Sequence, residues 1–376
     1  MNDKIARFLC DTAPETPCLV VDLDVIGEAY DMLRRYLPIA RVYYAVKANP
    51  EPEIVAMLAE RGSNFDVASR VEIALCLDNG ATPERLSFGN TIKKERDIAF
   101  AYEAGVRLFA FDSDAELEKL ARVAPGARVF CRILVSCDGA EWPLSRKFGC
   151  SPRMAVELLG KARRLGLDAY GVSFHVGSQQ TDTGQWDGAI AAAAEMFSLL
   201  AEADITLRMV NIGGGFPAQY RGAISPVAHY AGAVTAALTR HFGNHLPEII
   251  VEPGRSLVGD AGVIHSEVVL ISEKGDGDAR RWVYLDAGKF NGLAETMDES
   301  IKYRIETPGR QGMPGPVIIA GPTCDSADIL YEKTEYSLPH DLQVGDRVAI
   351  LSTGAYTSSY ASVGFNGFPP LRTYCI

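Results

Sequence analysis

Eight short apolar segments, each followed by a helix-like stretch, fill the first two-thirds of the chain, and this repeat limits the possible folds more than any other feature. The segments lie at 42–46, 64–67, 86–88, 108–111, 128–135, 169–174, 209–212 and 248–251, with helical patterns between them at 53–61, 70–79, 94–104, 113–123, 152–165, 187–203 and 226–242. Strand and helix alternating eight times predicts an α/β fold in which the strands close into a parallel (β/α)8 barrel of the TIM type. A bare barrel takes about 250 residues, so a chain of 376 residues has a second domain to build. After Gly254 the rhythm changes. Stretches 263–271, 282–285, 316–319 and 347–351 read as strands, joined by turn-rich segments such as Gly275-Asp276-Gly277-Asp278 and 308–315 that look like hairpin loops. A strand at 18–23 is surplus to the eight, and Asp24 N-caps a helix running to about Tyr36. The expected organisation is a barrel over 24–258 and an all-β domain over 259–376, joined by the N-terminal strand within 1–23.

Composition narrows the function classes. With 37 Lys and Arg against 48 Asp and Glu, the formal charge of −11 argues against nucleic acid or an anionic membrane as the main partner and suits a small cationic substrate. None of the eight cysteines forms a C-x-x-C pair, which argues against a zinc site and a disulfide framework. Charges interrupt the first ten residues, and no apolar run approaches the roughly 18 residues of a membrane span. The expected setting is reducing and cytoplasmic.

Chemistry concentrates where the strands end, as it does in barrels of this kind. The first barrel strand runs into Lys47 within Tyr44-Ala45-Val46-Lys47-Ala48-Asn49. An amine there either reaches solvent or forms a Schiff base with an aldehyde, for which pyridoxal phosphate is the leading candidate. The sixth strand leads into Phe174-His175-Val176-Gly177-Ser178, an imidazole placed to stack on a ring beside a hydroxyl placed for a phosphate. The seventh opens onto Gly213-Gly214-Gly215-Phe216-Pro217, whose backbone N–H groups can cradle an anion without interference from side chains. The eighth supplies Glu252-Pro253-Gly254-Arg255. A carboxylate against a pyridine nitrogen keeps it protonated and strengthens the ring as an electron sink, while the guanidinium takes the phosphate. Strong-sink chemistry suits decarboxylation better than racemisation.

Two further motifs lie in the β domain. Gly321-Pro322-Thr323-Cys324-Asp325-Ser326-Ala327-Asp328 joins a thiol to two acids. It is either a buried cysteine beside solvated acids, or a proton donor to Cα (Cys324) next to a binder for a distal ammonium (Asp325). Tyr356, in Gly354-Ala355-Tyr356-Thr357, offers a phenol for the phosphate. Asp66, in Phe65-Asp66-Val67-Ala68-Ser69, and Arg132 either hold neighbouring groups of the cofactor site or form an ordinary structural ion pair.

Together with Phe365-Asn366-Gly367-Phe368, these motifs, in this order from about Pro17 onward, strongly resemble the fold-type III pyridoxal-phosphate decarboxylases, whose barrel is alanine racemase-like, and above all their ornithine decarboxylase branch. The resemblance implies that Lys47 carries the cofactor, His175 stacks on its ring and Glu252 pairs with its ring nitrogen. Ser178, Gly215, Arg255 and Tyr356 bind phosphate, with Gly213, Gly214 and Gly254 in the same loops. It implies a head-to-tail homodimer in which Cys324 and Asp325 serve the Lys47 of the partner subunit, so that an isolated monomer is inactive. One stretch departs from the eukaryotic pattern: the acid for the distal amine falls at Asp298 in Leu293-Ala294-Glu295-Thr296-Met297-Asp298-Glu299, or at Glu299 if the register slips by one. The implied reaction is L-ornithine to putrescine, within polyamine biosynthesis. Alternatives are a bifunctional lysine/ornithine decarboxylase, then a diaminopimelate decarboxylase, disfavoured by Asp325, then a non-catalytic regulator-binding homologue, disfavoured by the intact cofactor residues. The segment 136–148, with Trp142, Arg146 and Lys147, reads as either a mobile lid or a long βα loop.

Overall fold

The computed structural model describes every residue except 143–146, 276, 278 and 279. The chain divides into two compact units, one made of Gly27–Pro217 with Ile224–Ser256, the other of Met1–Ile26, Ala218–Ala223 and Leu257–Ile376. Helix α1 (Asp3–Thr12), strand β1 (Cys18–Val21) and helix α2 (Leu23–Tyr36) come first, followed by β2 (Ala40–Ala45), β3 (Asn64–Val67), β4 (Leu86–Phe88), β5 (Leu108–Phe111) and β6 (Arg128–Arg132). Next along the chain are β7 (Ala140–Trp142), β8 (Asp168–Ser173), β9 (Ser178–Gln180), β10 (Met209–Asn211) and β11 (Glu248–Val251). Helices α3 (Pro52–Glu60), α4 (Arg70–Asp78), α5 (Glu95–Glu103), α6 (Asp114–Val123), α7 (Pro152–Arg164), α8 (Gly184–Glu202) and α9 (Val227–Phe242) alternate with them, and α10 (Arg255–Val258) follows β11.

Eight of these strands close a barrel in the order β10-β11-β2-β3-β4-β5-β6-β8, as the strand-helix repeat predicted. The strands are short and buried on both faces because helices cover the outside, which is why they read as continuous apolar runs. Inside, Tyr43, Leu108, Ala110, Phe130, Met209 and Ile250 pack as a plug contributed by five strands. Helix starts are locally encoded. Pro52 and Pro152 occupy first turns, where a missing N–H costs nothing, and the Ser69 and Ser151 hydroxyls accept from the N–H groups of Glu72 and Met154. The small strands β7 and β9 pair antiparallel outside the barrel. Strand β7 lies within the segment 136–148 expected as a lid; residues 143–146 of that segment, Arg146 among them, lie outside the described residues.

Several predicted strands end early: 18–23 at Val21, 169–174 at Ser173 and 209–212 at Asn211, and two more for reasons that shape the site. The stretch 42–46 stops at Ala45, because Val46–Ala48 turns into a single 3-10 turn that carries Lys47. The stretch 128–135 stops at Arg132, after which only an isolated bridge joins Ile133 to Cys150.

The second unit is built on β12 (Gly262–Ser272), β13 (Arg281–Leu285), β14 (Ile305–Glu306), β15 (Pro314–Ala320), β16 (Ile329–Pro339), β17 (Arg347–Leu351) and β18 (Arg372–Cys375). Its sheet runs β14-β17-β12-β13-β15-β16. Strand β12 pairs with β1 through Gly262, Val263, Ile264 and His265, with β17 from Val263 to Glu267, and with β13 from Val268 onward, where its register shifts. Strand β1 lies antiparallel to β12 and parallel to β18, so the N-terminal strand joins the β domain as expected. Helix α1 packs Ile5 against Cys18, Val20, Val263 and Leu351. Sequence reading missed α1, β14, β16 and β18, and it placed Pro314 and Gly315 in a loop where they begin β15. Segment Ala218–Ala223 belongs to this unit: the Gln219 N–H donates to Asp260, and the Arg221 guanidinium donates to the Glu335 carbonyl. No helix among the described residues is long and apolar enough to cross a membrane.

Gly171 shows how tightly the barrel closes. A Cβ there would sit 2.2 Å from the carbonyl oxygen of Met209 on the neighbouring strand, so the β8–β10 ladder tolerates no side chain. Gly171→Ala is expected to destabilise the protein by roughly 1–3 kcal/mol, read as a lower urea midpoint; an unchanged midpoint would show that the ladder can yield.

Candidate active site

The C-terminal ends of the barrel strands carry most of the residues singled out from sequence. Lys47 leaves the end of β2 on a turn held by Asn49 N–H to the Val46 carbonyl at 3.1 Å and by the Tyr44 hydroxyl to the Asn49 carbonyl at 2.8 Å. The Ala45 N–H donates to the Pro253 carbonyl at 3.0 Å, tying this turn to the one after β11. The Lys47 side chain is half exposed, and its amine lies 3.3 Å from Oδ2 of Asp66. Asp66 stands on β3 in ladder register with Ala45, buried, and its Oδ1 has no hydrogen-bond partner. Space for that oxygen exists only because residue 89 is glycine: a Cβ there would come within 1.9 Å of it.

Glu252 follows β11. Its carboxylate lies deep among protein atoms and accepts from the Asn211 side-chain amide, which also accepts the Gly213 N–H at 2.9 Å. Burial, and then the charge of Asp66, push the Glu252 pKa up to about 7, against the opposing pull of Lys47, Asn211 and Arg132. His175 lies just past β8, and its Nδ1 accepts the Gly177 N–H at 3.0 Å. Burial, then the positive charges of Arg132 and Lys47, hold the imidazole well below its ordinary range, so the ring is neutral. Arg132 ends β6 with its guanidinium 5.2 Å from the Phe148 ring centroid, and burial lowers its pKa. The mutual influence of Lys47, Asp66, Arg132, His175 and Glu252 places all five in one electrostatic cluster.

The glycine loop packs against that cluster. A Cβ on Gly214 would fall 2.5 Å from the Glu252 carbonyl oxygen and 3.3 Å from Nε2 of His175, and one on Gly213 would fall 2.3 Å from the Phe174 carbonyl oxygen. Arg255 is buried and donates from Nε to the Ser178 hydroxyl at 3.0 Å. Gly254 makes the turn between Glu252 and Arg255. A side-chain-free cradle, a buried guanidinium with a hydroxyl, an accessible amine and a buried carboxyl with an orphan oxygen beside it match pyridoxal phosphate group by group: phosphate, aldehyde and ring nitrogen.

Cys324, Asp325, Asp298 and Tyr356 belong to the other unit. The Cys324 thiol is exposed, and its backbone N–H donates to the Asn366 side chain at 2.9 Å. The turn hangs on Asp328, which is buried and accepts from the backbone N–H groups of Lys289 and Thr323 and from the Thr323 hydroxyl. This reverses the bland sequence reading, since the cysteine is exposed and an acid is buried. Asp325 is exposed and braces its own turn by accepting the Ala327 N–H at 2.8 Å. Glu299 is committed elsewhere. Although burial opposes it, hydrogen bonds from the Glu332, Lys333 and Thr334 N–H groups pull its pKa down to about 2. Asp298 is exposed and left-handed at φ 53°, and among the described residues no such network engages it. Tyr356 likewise adopts a positive φ of 56°.

Asn211 was missed. It was visible in sequence as the residue before the glycine loop, but only the fold reveals that its two-ended amide spans Gly213 and Glu252.

Residues 23–259 match the family model described as pyridoxal-dependent decarboxylase, pyridoxal binding domain. The chain belongs to that family. It is 35% identical over 369 residues to a lysine/ornithine decarboxylase of Selenomonas ruminantium, covering 98% of this chain and 91% of that one. It is also 35% identical over 368 residues to a chloroplastic ornithine decarboxylase of Nicotiana glutinosa, covering 94% and 82%. The crystal structure of a Vibrio vulnificus lysine/ornithine decarboxylase complexed with cadaverine superposes with a TM-score of 0.90 at 29% identity, covering 100% of this chain and 99% of that one. Pyridoxal phosphate is the cofactor, and amino-acid decarboxylation is the family's chemistry.

The raised pKa of Glu252 has a consequence for stability. Between about pH 4.5 and 7 the folded chain retains a proton that the unfolded chain releases, so stability contributed here is lost as pH rises through that window. Cofactor-free Glu252→Gln is expected to melt above the cofactor-free wild type at about pH 8 and level with it at about pH 4. Identical melting at both pH values, by calorimetry, would contradict the burial argument.

Proposed function

We propose that this chain decarboxylates L-ornithine to putrescine in the cytoplasm, as a step of polyamine biosynthesis, and accepts L-lysine less well. The observation that carries this reading is the Glu252 carboxyl within the field of the Lys47 amine, in a barrel mouth that also offers a phosphate cradle. Pyridoxal phosphate, when bound, supplies an electron sink for the pair left at Cα as carbon dioxide departs. The residues of the chain do the rest. Lys47 holds the aldehyde carbon, and Asp66 keeps that amine oriented through the 3.3 Å contact. Glu252, steadied by Asn211, faces the ring nitrogen, and the neutral His175 and Arg132 complete the walls around the ring. Gly213, Gly214, Gly215, Gly254, Ser178, Arg255 and Tyr356 bind the phosphate.

Cys324 returns the proton to Cα through its thiol, and Asp298 and Asp325 hold the distal ammonium. Two acids for one cationic end match a diamine precursor, and the similarity to lysine/ornithine and ornithine decarboxylases supports the same class. In this reading the working molecule is a homodimer, with Cys324 and Asp325 reaching the Lys47 of the partner subunit. An exposed thiol on a firmly anchored turn suits a group that acts outside its own fold unit.

Mass spectrometry of products from ornithine and lysine in competition is expected to find putrescine in excess of cadaverine; failure to release carbon dioxide from either would end the assignment. Cys324→Ala is expected to keep the cofactor absorbance band and carbon dioxide release, while slowing putrescine formation by about a hundredfold, the usual scale for losing a positioned acid. Normal putrescine formation in that variant would remove the thiol from the reaction.

A further inference from the structure

The opposite rim of the barrel, where the strands begin, gathers arginines. Arg41 lies near the start of β2, Arg85 directly precedes β4, and Arg34 and Arg35 close α2. All four line one open cavity of about 670 Å3, together with Asn64 and Asp31. The nearby carboxylates are already engaged. Asp31 pairs with Arg61 at 2.6 Å, and Glu248 with Arg41 at 2.6 Å and with the Tyr170 hydroxyl. Among the described residues, Arg34, Arg35 and Arg85 have no carboxylate within ion-pair distance; the first two lie only against the Tyr30 and Tyr36 rings.

The position of Arg34 and Arg35 in a last helical turn is favourable in itself, because the helix dipole attracts cations there. That does not explain why guanidinia from the start of β2 and from the turn before β4 line the same cavity. Nor does it explain why three uncompensated cations gather in a chain whose formal charge is −11. Arg85 is held in place by donating to the Ser63 and Ala59 carbonyls, and Arg41 by Glu248 and the Asn64 side chain. Those two spend donors on the protein and fix positive charge at the cavity wall. Arg34 and Arg35, which make no hydrogen bond or ion pair among the described residues, keep planar forks that match phosphoryl oxygens two at a time. The volume falls within the roughly 300–1,000 Å3 of small-molecule sites, more than a single orthophosphate fills.

We propose that this cavity binds a small molecule carrying two or more linked phosphoryl groups. It is separate from the cofactor's phosphate cradle: Arg41 and Ala45 stand near opposite ends of β2, about 13 Å apart at 3.3 Å per residue, and Lys47 lies on the turn beyond Ala45.

The test uses the holoenzyme, so that pyridoxal phosphate fills its own seat, and inorganic tripolyphosphate as the probe in calorimetric titration at about 150 mM salt. Saturable binding at one site per chain is expected, weakened by about tenfold or more in the double variant Arg34→Ala, Arg35→Ala, since each loses a charge-assisted fork. That variant is expected to keep its fold by circular dichroism and its turnover. Absence of saturable binding, or equal affinity in the double variant, would overturn the proposal. Equally tight binding of orthophosphate would overturn the assignment to linked phosphoryl groups.

Discussion

One amine between two carboxyl groups organises this molecule. Lys47 lies in contact with Asp66 and within the field of Glu252, and the acids differ in what surrounds them. Asp66 meets the cation directly, whereas Glu252, desolvated by the atoms around it, feels the repulsion of Asp66 before the attraction of Lys47. The result is a carboxyl poised near neutrality, at a site where a bound heterocycle bearing a proton would give it the partner it lacks. Holding such a group costs stability in the cofactor-free protein. The cost is borne because a closed barrel fixes the two acids at β3 and after β11, on either side of the β2 strand that leads into Lys47, where neither can retreat from the other.

Around that cluster the sequence spends glycine and amide groups rather than charge. Gly89 makes room for Asp66, Gly213 and Gly214 let backbone approach His175 and Glu252, and Asn211 uses both ends of one amide to tie loop to acid. The β unit follows the same logic with different parts. Buried Asp328 gathers three donors so that Cys324 and Asp325, four and three residues earlier, stand exposed on a rigid turn.

Much of this was legible beforehand, for physical reasons. All eight barrel strands announce themselves because burial on both faces demands unbroken apolar runs, and four of them (β3, β4, β5 and β11) begin and end where those runs do. Strand β16 was invisible to the same reading because its middle is exposed, so Glu332, Lys333 and Glu335 interrupt the apolar run. Helix α1 hides because only Ile5 on it is fully buried. The early turn at Val46 follows from the tie between Ala45 and Pro253, a contact far apart in sequence. The site residues were legible as motifs, since strand ends carry them. What stayed hidden was commitment: nothing local in Asp298-Glu299 says that one carboxylate is consumed by three backbone N–H groups on β16.

The central claim is that the Lys47 amine is the covalent seat of the cofactor. It is tested most directly by reducing the pyridoxal-phosphate-saturated protein with borohydride and mapping the label by peptide mass spectrometry. The account predicts a single phosphopyridoxyl group on Lys47; a label on any other lysine, with Lys47 unmodified, would contradict it.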